Sequence, residues 1–311
     1  MKIVLLDAKT LGDDLDLTPL EQFGELTSYR ITAKEHTLSR IENADIVITN
    51  KVVIDASLMD QAKSLKLICI AATGMNNVDL EYAKEKGISV KNVVGYSTNS
   101  VVQHTFTMAL HLRGKMKHYG SIATSGAWSN SQLFTDVSQP FYEIAGKKWG
   151  IIGMGTIGQE VAKVANAFGA EVCYYSTSGQ NTAQPYPEKE LNALLSECDI
   201  ISIHAPLNEK TQNLLDAPQL SQLKKGALLL NLGRGGIVNE AALAALLDKR
   251  EIYVGLDVLE SEPIALDNPL MKILHHERLL VTPHIAWASV EARHKLLEGI
   301  VDNIETFLKG D

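Results

Sequence analysis

The sequence predicts an α/β protein of two domains, each built around a parallel β-sheet, and three observations support this. The chain has 311 residues, which is large for one hydrophobic core and comfortable for two. Short runs rich in Ile and Val alternate with amphipathic stretches in both halves, as in βαβ units. The alternation is interrupted once, between about residues 97 and 146, and then begins again.

The first series predicts four buried strands, in the runs KIVLLD, ADIVITN, LKLICIAAT and ISVKNV. Each run has an Asp, Asn or Thr at or next to its end. A length of about four to eight residues is typical of a strand. The stretches LEQFGELT, IDASLMDQAKS and LEYAKEKG between them have the amphipathic pattern of helices.

The interruption begins with a predicted long helix. From Ser97 to Met116, apolar residues recur every three or four positions, which indicates a helix with one buried face. A polar, aromatic stretch from about Lys117 to Gly146 follows and is predicted to be a loop. Loops of this length are usually functional, linkers or arms that bind a partner.

The second series predicts a six-stranded sheet, with strands in WGIIGM, AEVCYYS, CDIISIHA, GALLLNLG, YVGLDV and RLLVTPH. Helical patterns separate these runs. The chain closes on an amphipathic helix, SVEARHKLLEGIVDNIETFLKG.

Composition excludes several classes of protein. The 45% hydrophobic and 21% charged residues are typical of a globular protein, and the net charge of −8 argues against a general nucleic-acid binder. Cys69, Cys173 and Cys198 are scattered in or beside apolar runs, which predicts buried thiols rather than disulfides or metal ligands. Asp7 interrupts the apolar N-terminus, and no apolar run approaches the roughly 18 residues of a membrane span. We therefore expect a cytoplasmic protein without a bound metal.

A glycine motif opens the second series. Gly153, Met154, Gly155, Thr156, Ile157 and Gly158 fit the pattern G-x-G-x-x-G, after an apolar strand and before a helical pattern. Its first glycine permits a tight turn, the second admits a pyrophosphate, and the third lets the helix pack on the strand. The alternative is a plain strand-to-helix turn with incidental glycines, but the flanking elements favour a dinucleotide site.

The expected partner of the ribose is missing. A carboxylate that binds the ribose 2′-hydroxyl of NAD usually ends the next strand, but that strand ends here in Ser176. Residues 176–181 contain no carboxylate and no arginine. A 2′-phosphate would therefore not be repelled, and both NAD and NADP remain candidate cofactors.

Three polar residues follow strands of the second series. Arg234 lies in NLGRGG, Glu260 and Glu262 lie in LESEP, and His284 lies in TPHIAW. Ligands of open α/β sheets collect at the carboxyl ends of the strands. An arginine can bind a carboxylate there, and a histidine bonded to a glutamate can donate a proton. Alone, each residue has a structural alternative: an arginine in a surface turn, a solvated acidic loop, a core histidine.

Together these motifs resemble the D-isomer-specific 2-hydroxy acid dehydrogenases, and among them the glycerate dehydrogenases or hydroxypyruvate reductases. GMGTIG, HAPLNEKT, NLGRGGIVNE, GLDVLESEP and TPHIAWAS match that family in order and spacing across nearly the whole chain. The resemblance implies NAD(P)-dependent reduction of a small 2-keto acid of the hydroxypyruvate or glyoxylate type.

The resemblance also implies roles for residues. Arg234 would bind the substrate carboxylate and keto oxygen, His284 would exchange the proton, and Glu262 rather than Glu260 would be its partner. The backbone at Thr73 and Gly74 would hold the carboxylate. The cofactor would contact a further set that comprises Ser176, His204, Ala205, Pro206, Thr211, Leu232, Gly233 and, at the nicotinamide, Asp257.

The family's layout implies two Rossmann-like or flavodoxin-like domains. Residues 1–99 and 287–311 would form the substrate domain, and the dinucleotide-binding domain, residues 100–286, would be inserted into it. The long helix and the arm after it would form a homodimer.

Two alternatives remain at this stage. One is an NAD(H)-sensing, co-repressor-like binding protein of the same fold. The other is a different oxidation on this scaffold. Formate enzymes of the family carry Gln where Glu262 stands, which argues against formate, whereas weak phosphite oxidation stays open. His104 and the remaining histidines outside the motifs are predicted to be structural or exposed.

Overall fold

A computed structural model describes residues 1–181 and 183–310. It divides into two compact units. Unit 1 contains Met1–Ser97 and the C-terminal segment from Ala288, and unit 2 contains Thr98–Trp287. Unit 2 is therefore an insertion in the sequence of unit 1.

Unit 1 is built on a five-stranded parallel sheet with the order β2-β1-β3-β4-β5. The strands are β1 (Lys2–Leu5), β2 (Glu25–Ser28), β3 (Ile46–Thr49), β4 (Leu67–Ile70) and β5 (Ser89–Asn92). The helices are α1 (Thr37–Ile41), α2 (Ala56–Gln61), α3 (Leu80–Glu85) and, at the end of the chain, α10 (Val290–Lys309). Strands β3 and β4 are buried along their whole length, as their uninterrupted apolar runs predict.

The prediction for LEQFGELT was wrong, because this stretch is not an amphipathic α-helix. Thr18–Phe23 forms a 3₁₀-helix, and Glu25–Ser28 forms β2 at the edge of the sheet. Gly24 separates them with φ of +151°, a conformation that favours glycine. Since β2 is largely exposed, its sequence lacks the apolar run by which the other four strands were predicted.

Unit 2 contains the predicted six-stranded sheet, all parallel, with the order β11-β10-β9-β8-β6-β7. The strands are β6 (Lys148–Ile152), β7 (Glu171–Tyr175), β8 (Ile200–Ile203), β9 (Leu228–Asn231), β10 (Tyr253–Leu256) and β11 (Leu279–Val281). The helices are α4 (Thr98–Arg113), α5 (Met116–Thr124), α6 (Thr156–Ala167), α7 (Leu191–Glu197), α8 (Ala217–Leu220) and α9 (Glu240–Lys249).

Helix α4 covers one face of this sheet. Its buried side chains, among them Phe106 and Met108, join a core cluster with Trp149 of β6. The Trp149 indole donates a hydrogen bond to Ser202 Oγ at 2.9 Å, so its polar atom is satisfied inside the core. The apolar periodicity of residues 97–116 therefore reflects burial against the sheet.

The predicted loop after α4 contains a helix that the sequence pattern did not reveal. After Gly114, Lys115 adopts φ of +53°, and α5 begins at Met116. No side chain of α5 is buried, so its sequence carries no apolar stripe. The Lys115 ammonium lies 3.3 Å from the centroid of the Tyr253 ring, and burial lowers the pKa of Lys115 to about 8.

The three cysteines are buried and form no disulfide, as their apolar surroundings predict. The Sγ atoms of Cys173 and Cys198 lie 3.4 Å apart. Within residues 1–181 and 183–310, no helix is both long enough and apolar enough to cross a membrane.

Candidate active site

The sequence motifs of unit 2 meet at one edge of its sheet. Strands β6 to β11 are parallel, so their carboxyl ends point the same way. The glycine motif follows β6, Ser176 follows β7, and the HAPLNEKT motif follows β8. Arg234, Asp257 and His284 come after β9, β10 and β11, which are neighbours in the sheet. This is the edge at which ligands of open α/β sheets bind.

The glycine motif has the geometry of a phosphate-binding turn. Gly153 has φ of +94°, and a Cβ there would lie 2.8 Å from the Ala205 nitrogen. A Cβ on Gly158 would lie 2.2 Å from the Gly153 oxygen, which explains the close packing of α6. A Cβ on Gly155 would meet nothing within 4 Å, so this position is open. Gly155 caps α6 without a side-chain bond, which leaves backbone N–H groups for an anion.

A cavity of about 560 Å³ lies in front of this turn. Its lining comprises Gly153, Met154, Gly155, Ser176, Thr177, Ser178, Gln180, Asn181, His204, Pro206, Asn208, Glu209 and Lys210. The two imidazole nitrogens of His204 are buried and have no hydrogen-bond partner among the described residues. Burial lowers the pKa of His204 to about 3, so the ring is neutral at pH 7. An open glycine turn and an orphaned polar ring fit a dinucleotide.

The other sequence-predicted cofactor residues do not line this cavity. Thr211 is buried and organises the loop after β8, because its Oγ1 donates to the Pro206 oxygen at 2.7 Å and accepts from the Asn208 nitrogen at 2.8 Å. Ala205 and Leu232 are buried as well. A Cβ on Gly233 would lie 2.7 Å from the Ala205 oxygen, so Gly233 permits close approach of two backbone segments.

His284 and Glu262 form a pair. His284 Nδ1 lies 2.7 Å from Glu262 Oε2, and Glu262 Oε1 accepts from the Leu259 backbone nitrogen at 2.9 Å. Glu260, the alternative partner, is held through its backbone N–H by the buried Glu240. A carboxylate on Nδ1 leaves Nε2 as the nitrogen available to a substrate.

The loops that carry Arg234 and Glu262 touch each other. A Cβ on Gly235 would lie 1.8 Å from the Leu259 oxygen, so only glycine permits this approach. The Arg234 carbonyl accepts from Asn231 Nδ2 at 2.9 Å, which fixes the backbone of the turn. Backbone contact thus holds the arginine segment beside the glutamate segment.

The Arg234 side chain is exposed. Its Nη1 donates to the Gly233 carbonyl at 2.8 Å. No Asp or Glu of the described residues lies within ion-pair distance of it, as the described ion pairs involve other side chains. A guanidinium in this state has donors left for a planar carboxylate.

Asp257 holds the segment 282–286, here called the His284 loop. Its buried carboxylate accepts from Thr282 Oγ1 at 2.6 Å and from the Ile285 and Ala286 nitrogens, each at 2.9 Å. The His284 nitrogen donates to the Asp257 carbonyl at 2.9 Å. His284 itself adopts φ of +52°, which is uncommon outside glycine. Sequence reasoning gave Asp257 only a cofactor role and missed its bonds to this loop.

Thr73 and Gly74 lie in unit 1, after β4. Thr73 Oγ1 donates to the Val93 carbonyl at 3.0 Å, and Asn92 Nδ2 donates to the Thr73 carbonyl at 2.6 Å. These bonds define the turn, and the role of its backbone in substrate binding stays a prediction. Nowhere in the described part of the chain do three His, Cys, Asp or Glu side chains form a group that could hold a metal ion.

The chain is similar to known proteins of one enzyme family. Residues 106–286 match the family model described as D-isomer specific 2-hydroxyacid dehydrogenase, NAD binding domain. The chain is 37% identical to the hydroxypyruvate reductase of Blautia hydrogenotrophica, and the match spans 100% of this chain and 98% of that protein. It is also 37% identical to the glycerate dehydrogenase of Methylorubrum extorquens, over 99% and 96% of the two chains.

A solved structure shows the same fold with a bound cofactor. It is an acyclic imino acid reductase in complex with NADPH and D-Arg, 28% identical, with a TM-score of 0.87 over 100% of this chain and 98% of that one. All three proteins are named for reductase or dehydrogenase activities, which gives no support to the NAD(H)-sensing alternative. The chain belongs to the D-isomer specific 2-hydroxyacid dehydrogenases, oxidoreductases that interconvert 2-keto and D-2-hydroxy acids with a nicotinamide dinucleotide.

Proposed function

We propose that this enzyme reduces hydroxypyruvate or glyoxylate to the corresponding 2-hydroxy acid. The hydrogen-bonded pair of His284 and Glu262 carries the proposal, together with Arg234, which lies at the same sheet edge and has no acidic partner among the described residues. The names of two full-length relatives, a hydroxypyruvate reductase and a glycerate dehydrogenase, support this substrate class.

Arg234 would bind the substrate. Its guanidinium offers parallel N–H donors to the carboxylate and can polarise the neighbouring keto oxygen. Such a contact withdraws electron density from the keto carbon and so favours attack on it. Thr73 and Gly74 keep the role that the family resemblance implies, with backbone N–H groups that bind a carboxylate.

His284 would supply the proton. A bound NAD(P)H supplies the hydride to the keto carbon, and the developing alkoxide needs one proton. His284, as the imidazolium, donates that proton from Nε2, and Glu262 on Nδ1 stabilises the charged ring until transfer. The same pair accepts the proton in the reverse direction.

The cofactor cavity would hold the remainder of the dinucleotide. The glycine turn and the start of α6 bind the pyrophosphate, and the neutral His204 ring provides one donor and one acceptor beside it.

We propose further that the enzyme accepts NADPH at least as well as NADH. The ribose end of the cavity offers hydroxyl and amide groups from Ser176, Thr177, Ser178, Gln180 and Asn181. Glu209 and Lys210, which carry opposite charges, also line the cavity. No carboxylate among residues 176–181 repels a 2′-phosphate.

Initial rates with hydroxypyruvate and each dinucleotide at matched concentrations test this preference. Ser176→Asp is expected to lower kcat/KM for NADPH by about tenfold or more, since like charges at short range repel by about 1–4 kcal/mol near a protein surface. The same variant should retain NADH activity, and Ser176→Asn is the uncharged control. Equal loss with both dinucleotides would contradict the assignment of this position.

We also propose a homodimer. Large apolar side chains are exposed between residues 110 and 142, including Trp128, Leu133, Phe134, Val137 and Phe141. An apolar surface of this extent is typical of an interface. Sedimentation equilibrium is expected to give twice the chain mass of 34.0 kDa, and a monomer at micromolar concentration would contradict the proposal.

A further inference from the structure

One face of α4 is hydrogen-bonded to the His284 loop. Ser100 and His104 lie four residues apart and therefore on the same side of the helix. Ser100 Oγ donates to the Ala286 carbonyl at 2.6 Å, and His104 Nε2 lies 3.1 Å from Thr282 Oγ1. The helix thus holds the loop at both of its ends.

The direction of these hydrogen bonds follows from the groups involved. A threonine hydroxyl has one hydrogen, and Thr282 Oγ1 gives it to Asp257 Oδ1 at 2.6 Å, since a carboxylate only accepts. Toward His104, Thr282 must then be the acceptor. His104 therefore carries a hydrogen on Nε2, either as that neutral tautomer or as the imidazolium.

His104 begins a series of hydrogen bonds that runs through Thr282 to the buried Asp257 carboxylate. Its side chain is 17% exposed, and Nε2 is also 3.6 Å from Asp257 Oδ1. The Asp257 carboxylate in turn accepts from the backbone nitrogens of Ile285 and Ala286. Loss of the His104 or Thr282 hydrogen bond would therefore leave the buried Asp257 carboxylate less well fixed.

The loop needs such support because its central residue is held in an uncommon conformation. His284 has φ of +52°, which a non-glycine residue adopts only where its surroundings impose it. Proton transfer requires Nε2 of this residue within hydrogen-bond reach of the substrate oxygen. Small displacements of the loop therefore translate into loss of rate.

We propose that His104 is a positioning residue of the reduction. Through Thr282 it orients the Asp257 carboxylate, and through that carboxylate it fixes the backbone that presents His284. The proposal rests on the proposed function, in which His284 is the proton donor. It assigns His104 no contact with substrate or cofactor.

Kinetics of four variants test the proposal. His104→Leu and Thr282→Val are each expected to lower kcat by about 10- to 100-fold, the cost of a misplaced catalytic group. The dissociation constant of the dinucleotide, measured by fluorescence titration, should stay unchanged. His104→Gln and Thr282→Ser keep the N–H donor and the hydroxyl and should regain most of the lost rate.

The double variant decides whether His104 acts through Thr282. If it does, His104→Leu adds nothing in the Thr282→Val background, and the double variant has the kcat of the slower single variant. Multiplicative losses would overturn the proposal, as would a His104→Leu enzyme with wild-type kcat. His111→Leu, a matched replacement on the same helix, should leave kcat unaffected.

Two readouts do not depend on turnover. Nitrogen-15 shifts of the imidazole should show Nε2 of His104 protonated, and His104→Leu should speed hydrogen exchange at the Ile285 and Ala286 amides. A neutral Nδ1–H tautomer or unchanged exchange would overturn the proposal. If the wild-type enzyme reduced no 2-keto acid, the proposed function would fail, while these two measurements would still decide whether His104 holds the loop.

Discussion

Replacement of His284 by alanine is expected to lower kcat for 2-keto acid reduction by about 10²- to 10⁴-fold, the usual contribution of a general acid. The variant loses the imidazole whose Nδ1 lies 2.7 Å from Glu262 Oε2 at this sheet edge. Steady-state kinetics with hydroxypyruvate measure the effect. The His284 side chain is partly exposed, at 26%, so the melting temperature should change by only a few degrees.

Two further variants separate proton donation from packing. Glu262→Gln keeps the shape of the pair and removes the charge that stabilises the imidazolium, so its kcat should lie between those of wild type and His284→Ala. His276→Ala removes a histidine beside the amino end of β11, at the opposite edge of the sheet, and should leave kcat unchanged. Wild-type kcat in His284→Ala would disprove the assignment of the proton donor.

Replacement of Arg234 by alanine is expected to lower kcat/KM for hydroxypyruvate by about 10²- to 10³-fold, with a raised KM. The guanidinium lies at the same edge and has no acidic partner among the described side chains, so it is available to the substrate carboxylate. Arg234→Lys retains the charge without the planar pair of donors and should recover only part of the loss.

Substrate comparison shows whether Arg234 binds the carboxylate. Hydroxyacetone lacks the carboxylate of hydroxypyruvate, so Arg234→Ala should greatly reduce the wild-type preference for the acid. Arg250→Ala is the control. Arg250 precedes the amino end of β10, away from the candidate site, and its guanidinium donates to the Leu223 backbone carbonyl. An unchanged preference in Arg234→Ala would mean that another group binds the carboxylate.

The sequence predicted those strands whose burial leaves a continuous apolar run in the chain. Strands β3, β4, β8 and β9 are covered on both faces, so each appears as an uninterrupted apolar run. Edge strand β2 and surface helix α5 bury too little to leave such a pattern. Their presence depends on pairing with β1 and on the break at Lys115, and neither is a property of a local run of residues.

The residues of the candidate site also fall into two groups, those that the sequence predicted and those that only the structure revealed. Gly153, Arg234 and His284 could be selected because strand, turn and residue type occur together in short motifs. The close approach of Gly235 to Leu259 and the bond between His104 and Thr282 join segments far apart in the chain. Only the fold brings such residues together, so a single sequence gave no signal for them. His104 was accordingly predicted to be structural or exposed and was given no catalytic role.

The most direct test of the central claim is chiral analysis of the product formed from hydroxypyruvate by the purified enzyme with NADH or NADPH. We expect D-glycerate in an amount equal to the dinucleotide oxidised, and a rate of glycerate formation about 10²- to 10⁴-fold lower in the His284→Ala enzyme. L-glycerate, or no glycerate from an enzyme that binds the dinucleotide, would contradict the account.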